Sequence, residues 1–405
     1  MHLPDPARLI AALTAGGHRL VIVATGGGSP AIPHLLTTPG ASGVVLEAVV
    51  PYARAAIDRL LGGPQDTYCS TLTARRLAAA AWQRACLLEQ SAAAADRAAV
   101  AARAVGVAVT ASLRTSRSKR GDHRVCVAVQ TQSSTHTAEL VLEKDVRTRA
   151  EEELLAAAML FDVLVDACGL AAACGRGLPG DLRSDERMVR DHMVAPPAWR
   201  ELLAGTRAVA PLHLPSGAEP GVDPMPAAGG LVFPGSFNPL HEGHLLMARI
   251  AEEIAERPLA YEISVANVEK PLLDFIEVRD RAKQFTDRRV WLTWAATFVE
   301  KLAIFPESTF VMGADTYVRL ADPRYYGGST AAAEAAVESI ASRARGLIVF
   351  GRERQGVFED AAQLPAPRAL RDVSYFVSRR EFRLDISSTQ LRREALGRSE
   401  QTEAR

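Results

Sequence analysis

No stretch constrains the fold of this chain more than Leu231–His244. Leu231-Val-Phe233 is a short apolar run. Pro234-Gly-Ser-Phe-Asn-Pro239 follows, a turn that can neither extend a strand nor open a helix. From about Leu240 to Glu256, Leu245, Ile250 and Ile254 recur at helical spacing. A strand, a tight turn and a helix in immediate succession form the basic unit of layered α/β architecture. His241 and His244 are three apart and share a face at the start of that helix. Free backbone N–H groups and the positive end of the helix dipole meet there, an arrangement that suits a phosphate. Gly243 between them allows a ligand close to the helix backbone. Two isolated histidines would be a solvated cap; the flanking strand, turn and glycine favour an anion site.

The rest of the second half repeats the theme. Tyr261–Val265, Ser308–Met312, Gly346–Phe350 and Tyr375–Val377 read as β runs followed by Gly or polar residues. A parallel sheet places its ligand loops at such strand ends. The first half alternates in the same way. Arg19–Ala24, Val44–Val50, Ala104–Val109 and Arg124–Gln130 are strand-like, and Ala53–Leu61, Thr73–Leu88 and Arg147–Ala173 are helical. Between the halves, Gly175–Gly230 is broken by prolines and glycines, with one small element around Ala198–Leu203. We therefore expect two α/β domains, 1–175 and 229–405, joined by an extended, partly stiff spacer over 176–228. The second is expected to hold a parallel sheet.

Composition narrows the function classes. Lys and Arg total 47, and so do Asp and Glu, which argues against a general nucleic-acid or membrane-surface binder. No apolar run approaches the ~18 residues of a membrane span, and the N-terminal stretch lacks the basic start and apolar core of a secretory leader. The five cysteines are scattered, with no C-x-x-C pair, so neither a disulfide framework nor a zinc site is indicated. A cytoplasmic enzyme without a resident metal is the expectation.

A second phosphate site is suggested near the C-terminus. Ser387 and Gln390 can form a capping box, while Ser388 and Arg392 are four apart on one face. Hydroxyls at a helix start with an arginine one turn on can hold phosphate oxygens in a fixed orientation.

H-x-G-H followed far downstream by I-S-S-T-x-x-R resembles the adenylyl/cytidylyltransferase superfamily, over roughly residues 229–397. Asn267–Pro271, Phe310–Tyr317 and Ile348–Arg352 make it most similar to nicotinamide-nucleotide adenylyltransferases. The resemblance implies a Rossmann-like fold that joins the AMP unit of ATP to a phosphate monoester. It casts His241, His244 and Arg392 in catalytic roles. It gives Gly235, Ser236, Phe237, Gly243, Ser387, Ser388, Thr389 and Arg352 to ATP and its phosphates. Lys270, Gly313 and Asp315 fall to the acceptor, with nicotinamide mononucleotide (NMN) favoured and nicotinate mononucleotide, phosphopantetheine or a CTP-using pair as alternatives. Mg²⁺ would arrive with ATP. A solvated Lys270, a simple turn at Asp315 and an Arg352 that merely flanks its strand stay open, and so does a binding protein with little turnover. Trp291 and Trp294, three apart, are read on a helix, where core packing competes with stacking on a nicotinamide ring.

In the first half, Thr25-Gly-Gly-Gly-Ser-Pro30 after a strand can hold an anion on backbone N–H groups, although such turns are common. With Pro39–Ser42, Val49–Tyr52, Leu60–Gly62 and Val107–Thr110 it resembles the CinA C-terminal domain, associated with NMN deamidase activity, over roughly residues 5–170. That family's serine, tyrosine and lysine correspond to Val23, Tyr52 and Ile57. Neither Val nor Ile can act as nucleophile or base, so a silent half is expected. A silent half could bind a nucleotide, scaffold a homo-oligomer or support the fold; altered hydrolase chemistry using Ser29 or Ser112 is the alternative. Ala111–Arg120 is a solvated or anion-binding basic loop.

Overall fold

The computed structural model describes residues 3–92, 96–116, 119–175, 178, 182–213, 225–266, 271–354 and 357–378. Two compact units emerge: Met1–Arg207 with Glu269–Arg279, and Ala208–Val268 with Asp280–Arg405.

The first unit is built on one six-stranded sheet. Its strands are β1 (Arg19–Thr25), β2 (Val45–Val49), β3 (Ala104–Ser112), β4 (His123–Gln130), β5 (Ser134–Leu142) and β6 (Arg187–Val194), in the order β2-β1-β3-β4-β5-β6. β1 runs parallel to β2 and β3, and β3 to β6 form an antiparallel meander. β1 is buried from Leu20 to Thr25, as its unbroken apolar run requires. Val105, Val107, Val109, Val125, Val127 and Val129 alternate onto one face, where they join Leu155–Val165 of the helix Arg149–Ala167 in the core. A capping box of Thr148 and Glu151 starts that helix.

The proline-broken stretch 176–228 holds more structure than an extended spacer. β6 forms there, as does a helix over Pro197–Ala204 with Pro at its first turn and left-handed Gly205 at its end. β6 reads R-M-V-R-D-H-M-V, and its charges suit the edge position it takes.

The second unit holds a seven-stranded sheet. β7 (Val209–Pro211), β8 (Leu231–Pro234), β9 (Leu259–Ser264), β10 (Val290–Thr293), β11 (Thr309–Gly313) and β12 (Gly346–Phe350) come first. A hairpin of β13 (Arg352–Arg354) and β14 (Val357–Glu359) precedes β15 (Ser374–Val377). The order is β15-β12-β11-β8-β9-β10-β7, parallel throughout except at the β7 edge. Read from β8, the chain first builds outward through β9 and β10, then returns to β8's other side for β11. The order thus reverses between β8 and β11, which makes their C-terminal ends the topological switch point where doubly wound sheets bind ligands. The expected two-domain α/β class and parallel second sheet are both present.

Candidate active site

The switch point is occupied by the β8 turn. Gly235 N–H closes onto the Glu262 carbonyl at 2.9 Å. A Cβ at Gly235 would lie 2.5 Å from the Phe237 ring, and that ring cannot yield because Phe237 is 1% exposed. Phe237 takes a left-handed φ of 43° and packs edge-on against Phe233, His244, Tyr261 and Phe285, with centroids 5.0–5.5 Å away. Its side chain therefore anchors the turn in the core, while Ser236 beside it is exposed. The Asn238–Pro239 peptide is cis.

Two side chains that the sequence reading missed hold this turn. Gln284 bridges it: Oε1 accepts from Leu240 N–H at 2.7 Å, and Nε2 donates to the Phe237 carbonyl at 3.3 Å. Arg281 is 7% exposed and donates from Nη1 to the Ser236 carbonyl at 3.0 Å. Both act on backbone groups more than forty residues earlier, so no local pattern marks them.

The turn delivers His241 as N-cap of the helix Glu242–Ala255, with Gly243 buried in the first turn. The His241 and His244 rings stack at 3.7 Å with an interplanar angle of 19°. His244 Nδ1 accepts from the His241 backbone N–H at 3.3 Å. That hydrogen bond assigns the tautomer: Nδ1 is bare, and Nε2 carries the proton as a donor. Burial, reinforced by the neighbouring His241, pushes the His244 pKa down to about 3. Burial also holds His241 below the ordinary histidine value. At neutral pH the site therefore offers uncharged imidazole N–H donors. Among the described residues, His241 Nδ1 is buried without a hydrogen-bond partner. Leaving such an atom unmatched costs ~1–3 kcal/mol.

The neighbouring strand ends contribute Asp315 and Arg352. Gly313 closes β11 and caps the helix Ala314–Arg319, which carries Asp315. Arg352 opens β13 directly after β12, and its Nη1 ion-pairs with Asp315 Oδ2. The sequence reading gave these two groups to different ligands; the fold joins them to each other. Both remain part-exposed, so a ligand can still reach them.

Lys270, Ser387, Ser388, Thr389 and Arg392 lie outside the described residues. Trp291 and Trp294 are not on a helix. Trp291 sits in β10, 5% exposed and within the core cluster. Trp294 N–H closes onto the Ala208 carbonyl just past the strand. Their i,i+3 spacing also fits a four-residue strand and its exit. Among the described residues, no three His, Cys, Asp or Glu side chains converge on a metal position. Among the same residues, no helix is long and apolar enough to cross a membrane.

In the first unit, the glycine-rich turn is filled from within. Gly28 N–H donates to Glu153 Oε2 at 2.7 Å, and Arg149 donates to both Glu153 and the Gly26 carbonyl. Gly26 has φ 73°, and a Cβ there would lie 1.9 Å from the Ala111 carbonyl oxygen. Val23 and Ile57 are core residues at 2% and 4% exposure, whereas Tyr52 is 77% exposed. Of the basic run Ala111–Arg120, Ala111 and Ser112 belong to β3, and beyond it Lys119 donates to the Leu113 carbonyl and Ser112 Oγ.

Residues 232–394 match the model of the cytidylyltransferase-like family, so the second unit contains a cytidylyltransferase-like domain. Two solved structures are similar to part of the chain. One is a competence-damaged protein (CinA) superfamily protein from Escherichia coli: 17% identical, covering 40% of this chain and 87% of that one, TM-score 0.32. The other is the competence/damage-inducible protein CihA from Agrobacterium tumefaciens: 20% identical, covering 42% and 99%, TM-score 0.32. No curated protein matches the chain.

Proposed function

We propose that the second unit is an adenylyltransferase that transfers AMP from ATP to a phosphate monoester, with NMN as the favoured acceptor and NAD and pyrophosphate as products. The cytidylyltransferase-like domain supports nucleotidyl transfer as the class of chemistry. The observation that carries the transfer chemistry is the neutral, stacked His241/His244 pair at a helix N-terminus on the switch point; the choice of ATP and NMN rests on the resemblance carried by Asn267–Pro271, Phe310–Tyr317 and Ile348–Arg352.

An acceptor phosphate oxygen attacks the α-phosphorus in line. One P–O bond forms, the bond to the β-bridging oxygen breaks, and pyrophosphate leaves. No protein nucleophile is required; positioning and stabilisation of the phosphate oxygens are. His244 Nε2–H, fixed by the hydrogen bond at Nδ1, and the His241 ring supply donors without adding charge that would have to be desolvated. The turn shaped by Phe237, Gln284 and Arg281 holds both rings on the helix end, and Gly235 and Ser236 leave room for the nucleotide. Ser387, Ser388, Thr389 and Arg392 hold the departing phosphates. Lys270, Gly313 and Asp315 serve the acceptor, with Arg352 poised between Asp315 and the nucleotide. Magnesium enters as part of the Mg-ATP substrate. The first unit is catalytically silent: Val23 and Ile57 offer no nucleophile or base, and Glu153 fills the glycine turn.

A CTP-using pair is the second reading, favoured by the family description itself. Both are tested with purified full-length chain, Mg-ATP or Mg-CTP, and a panel of NMN, nicotinate mononucleotide and 4′-phosphopantetheine, following pyrophosphate release. Release with ATP and NMN supports the leading reading. Release with CTP alone replaces it, and none with any pair rejects transferase activity towards these acceptors.

A further inference from the structure

One strand away from the histidine-bearing turn, a glutamate and a lysine are buried together. Glu262 lies in β9 and Lys301 in the helix Phe298–Ile304. Lys301 Nζ donates to Glu262 Oε1 and Oε2, both at 2.8 Å, and to the Ala295 carbonyl at 2.9 Å. All three donors of the ammonium group are thereby used. Thr293, the last residue of β10, is also buried; its hydroxyl donates to Glu262 Oε1 and accepts from Ala295 N–H at 3.3 Å. Phe298 and Leu302 of the same helix and Trp291 of β10 belong to the apolar core. The network therefore ties β9, the exit of β10 and one helix together at a charged point within an apolar layer.

Stability is a poor reason for such a pair. Desolvating two charges offsets most of their attraction, and apolar residues of similar size commonly serve a core as well or better. What the pair adds is direction. Apolar side chains can shift against one another at little cost, whereas an ammonium group with three directed hydrogen bonds cannot. The residue fixed in this way is the one whose main-chain carbonyl accepts from Gly235 N–H at 2.9 Å and whose register partner is Pro234. Its neighbour Tyr261 points to the opposite face of the sheet, where it meets the Phe237 ring at 5.2 Å. β9 is thus pinned from both faces at the point where the turn leaves β8.

We propose that Lys301 and Glu262 are positioning residues for this turn. They add little net stability; they hold the Glu262 carbonyl under Gly235 and so fix the path of the chain to His241 and His244. They act through Gly235 and not on a substrate. The effect on turnover rests on the transferase reading above, while the effect on the turn does not.

The test uses the full chain with Lys301→Met and with the double variant Lys301→Met/Glu262→Leu. The readouts are urea unfolding, amide hydrogen exchange at Gly235 and pyrophosphate release. Lys301→Met leaves a buried carboxylate without its counter-charge and should lower the urea midpoint or fail to fold. The double variant removes both charges and should unfold at the wild-type midpoint or above it. In that stable variant Gly235 N–H should still exchange about tenfold faster than in wild type, with amides in the middle of β11 unchanged. Its kcat should fall about tenfold with KM little altered. Wild-type exchange at Gly235, or wild-type kcat, in a stable double variant overturns the proposal. So does a double variant with a lowered urea midpoint, since the pair would then hold the fold and not the turn. Absence of pyrophosphate release from wild type counts against the transferase reading alone, because exchange at Gly235 still decides the positioning role.

Discussion

Lowering the pH should expose the cost of keeping His244 neutral. The folded-state pKa of about 3 lies below the ordinary 6.5, so the unfolded chain takes up the proton first. The sign follows: the contribution is fully present above 6.5 and is lost as pH falls through the interval down to about 3. Each pH unit in that interval removes about 1.4 kcal/mol, so moving from pH 7 to pH 5 costs the second unit about 2 kcal/mol through this one ring. Replacing His244 with Asn removes the titration. Urea unfolding of wild type and His244→Asn at both pH values should give a double difference near that figure. Histidine ¹⁵N NMR provides a direct check, because His244 should remain the Nε2–H tautomer from pH 8 to pH 5. A titration midpoint near 6.5, or a proton on Nδ1, would refute the assigned hydrogen bond and with it the neutral-donor mechanism.

Four further outcomes are expected. His241→Ala should lower kcat in the pyrophosphate-release assay by on the order of 10²-fold, and unchanged turnover would remove its catalytic role. Gln284→Leu severs two hydrogen bonds to the turn at about 1 kcal/mol each, so kcat/KM should drop roughly 10- to 30-fold with little loss of secondary structure by circular dichroism. Gly235→Ala forces a methyl against the buried Phe237 ring and should destabilise by about 1–3 kcal/mol, seen as a lower urea midpoint. Full-length chain incubated with NMN alone should release no ammonia; ammonia above the buffer blank would show that the first unit retains a deamidase.

The sheet strands of the second unit were largely legible, because parallel strands buried on both faces appear as unbroken apolar runs: Leu231–Phe233, Ser308–Met312 and Gly346–Phe350. β5 and β6 were not: β5 buries polar residues such as Thr135 and Thr137 that break an apolar run, and β6 is an exposed edge carrying Arg, Asp and His. β10 escaped because four residues are too few to display a period, and its tryptophan spacing mimicked a helix. At the site, the histidine pair announced itself through the strand, turn and glycine around it. Arg281 and Gln284 did not, because their partners are carbonyl and amide groups that any residue could supply. Nor could spacing disclose that Asp315 and Arg352 would neutralise each other.

The carboxylate of Glu153 in the glycine turn has a consequence for whatever reaches that loop. It is a tethered competitor, covalently part of the chain and never diluted, present at an effective concentration of roughly millimolar or more. A free phosphate at comparable concentration must displace it before it can contact Gly28 N–H, and gains little by the exchange. Weak anions are thereby turned away without a gate. Only a ligand with substantial additional contacts elsewhere on the first unit could take the loop.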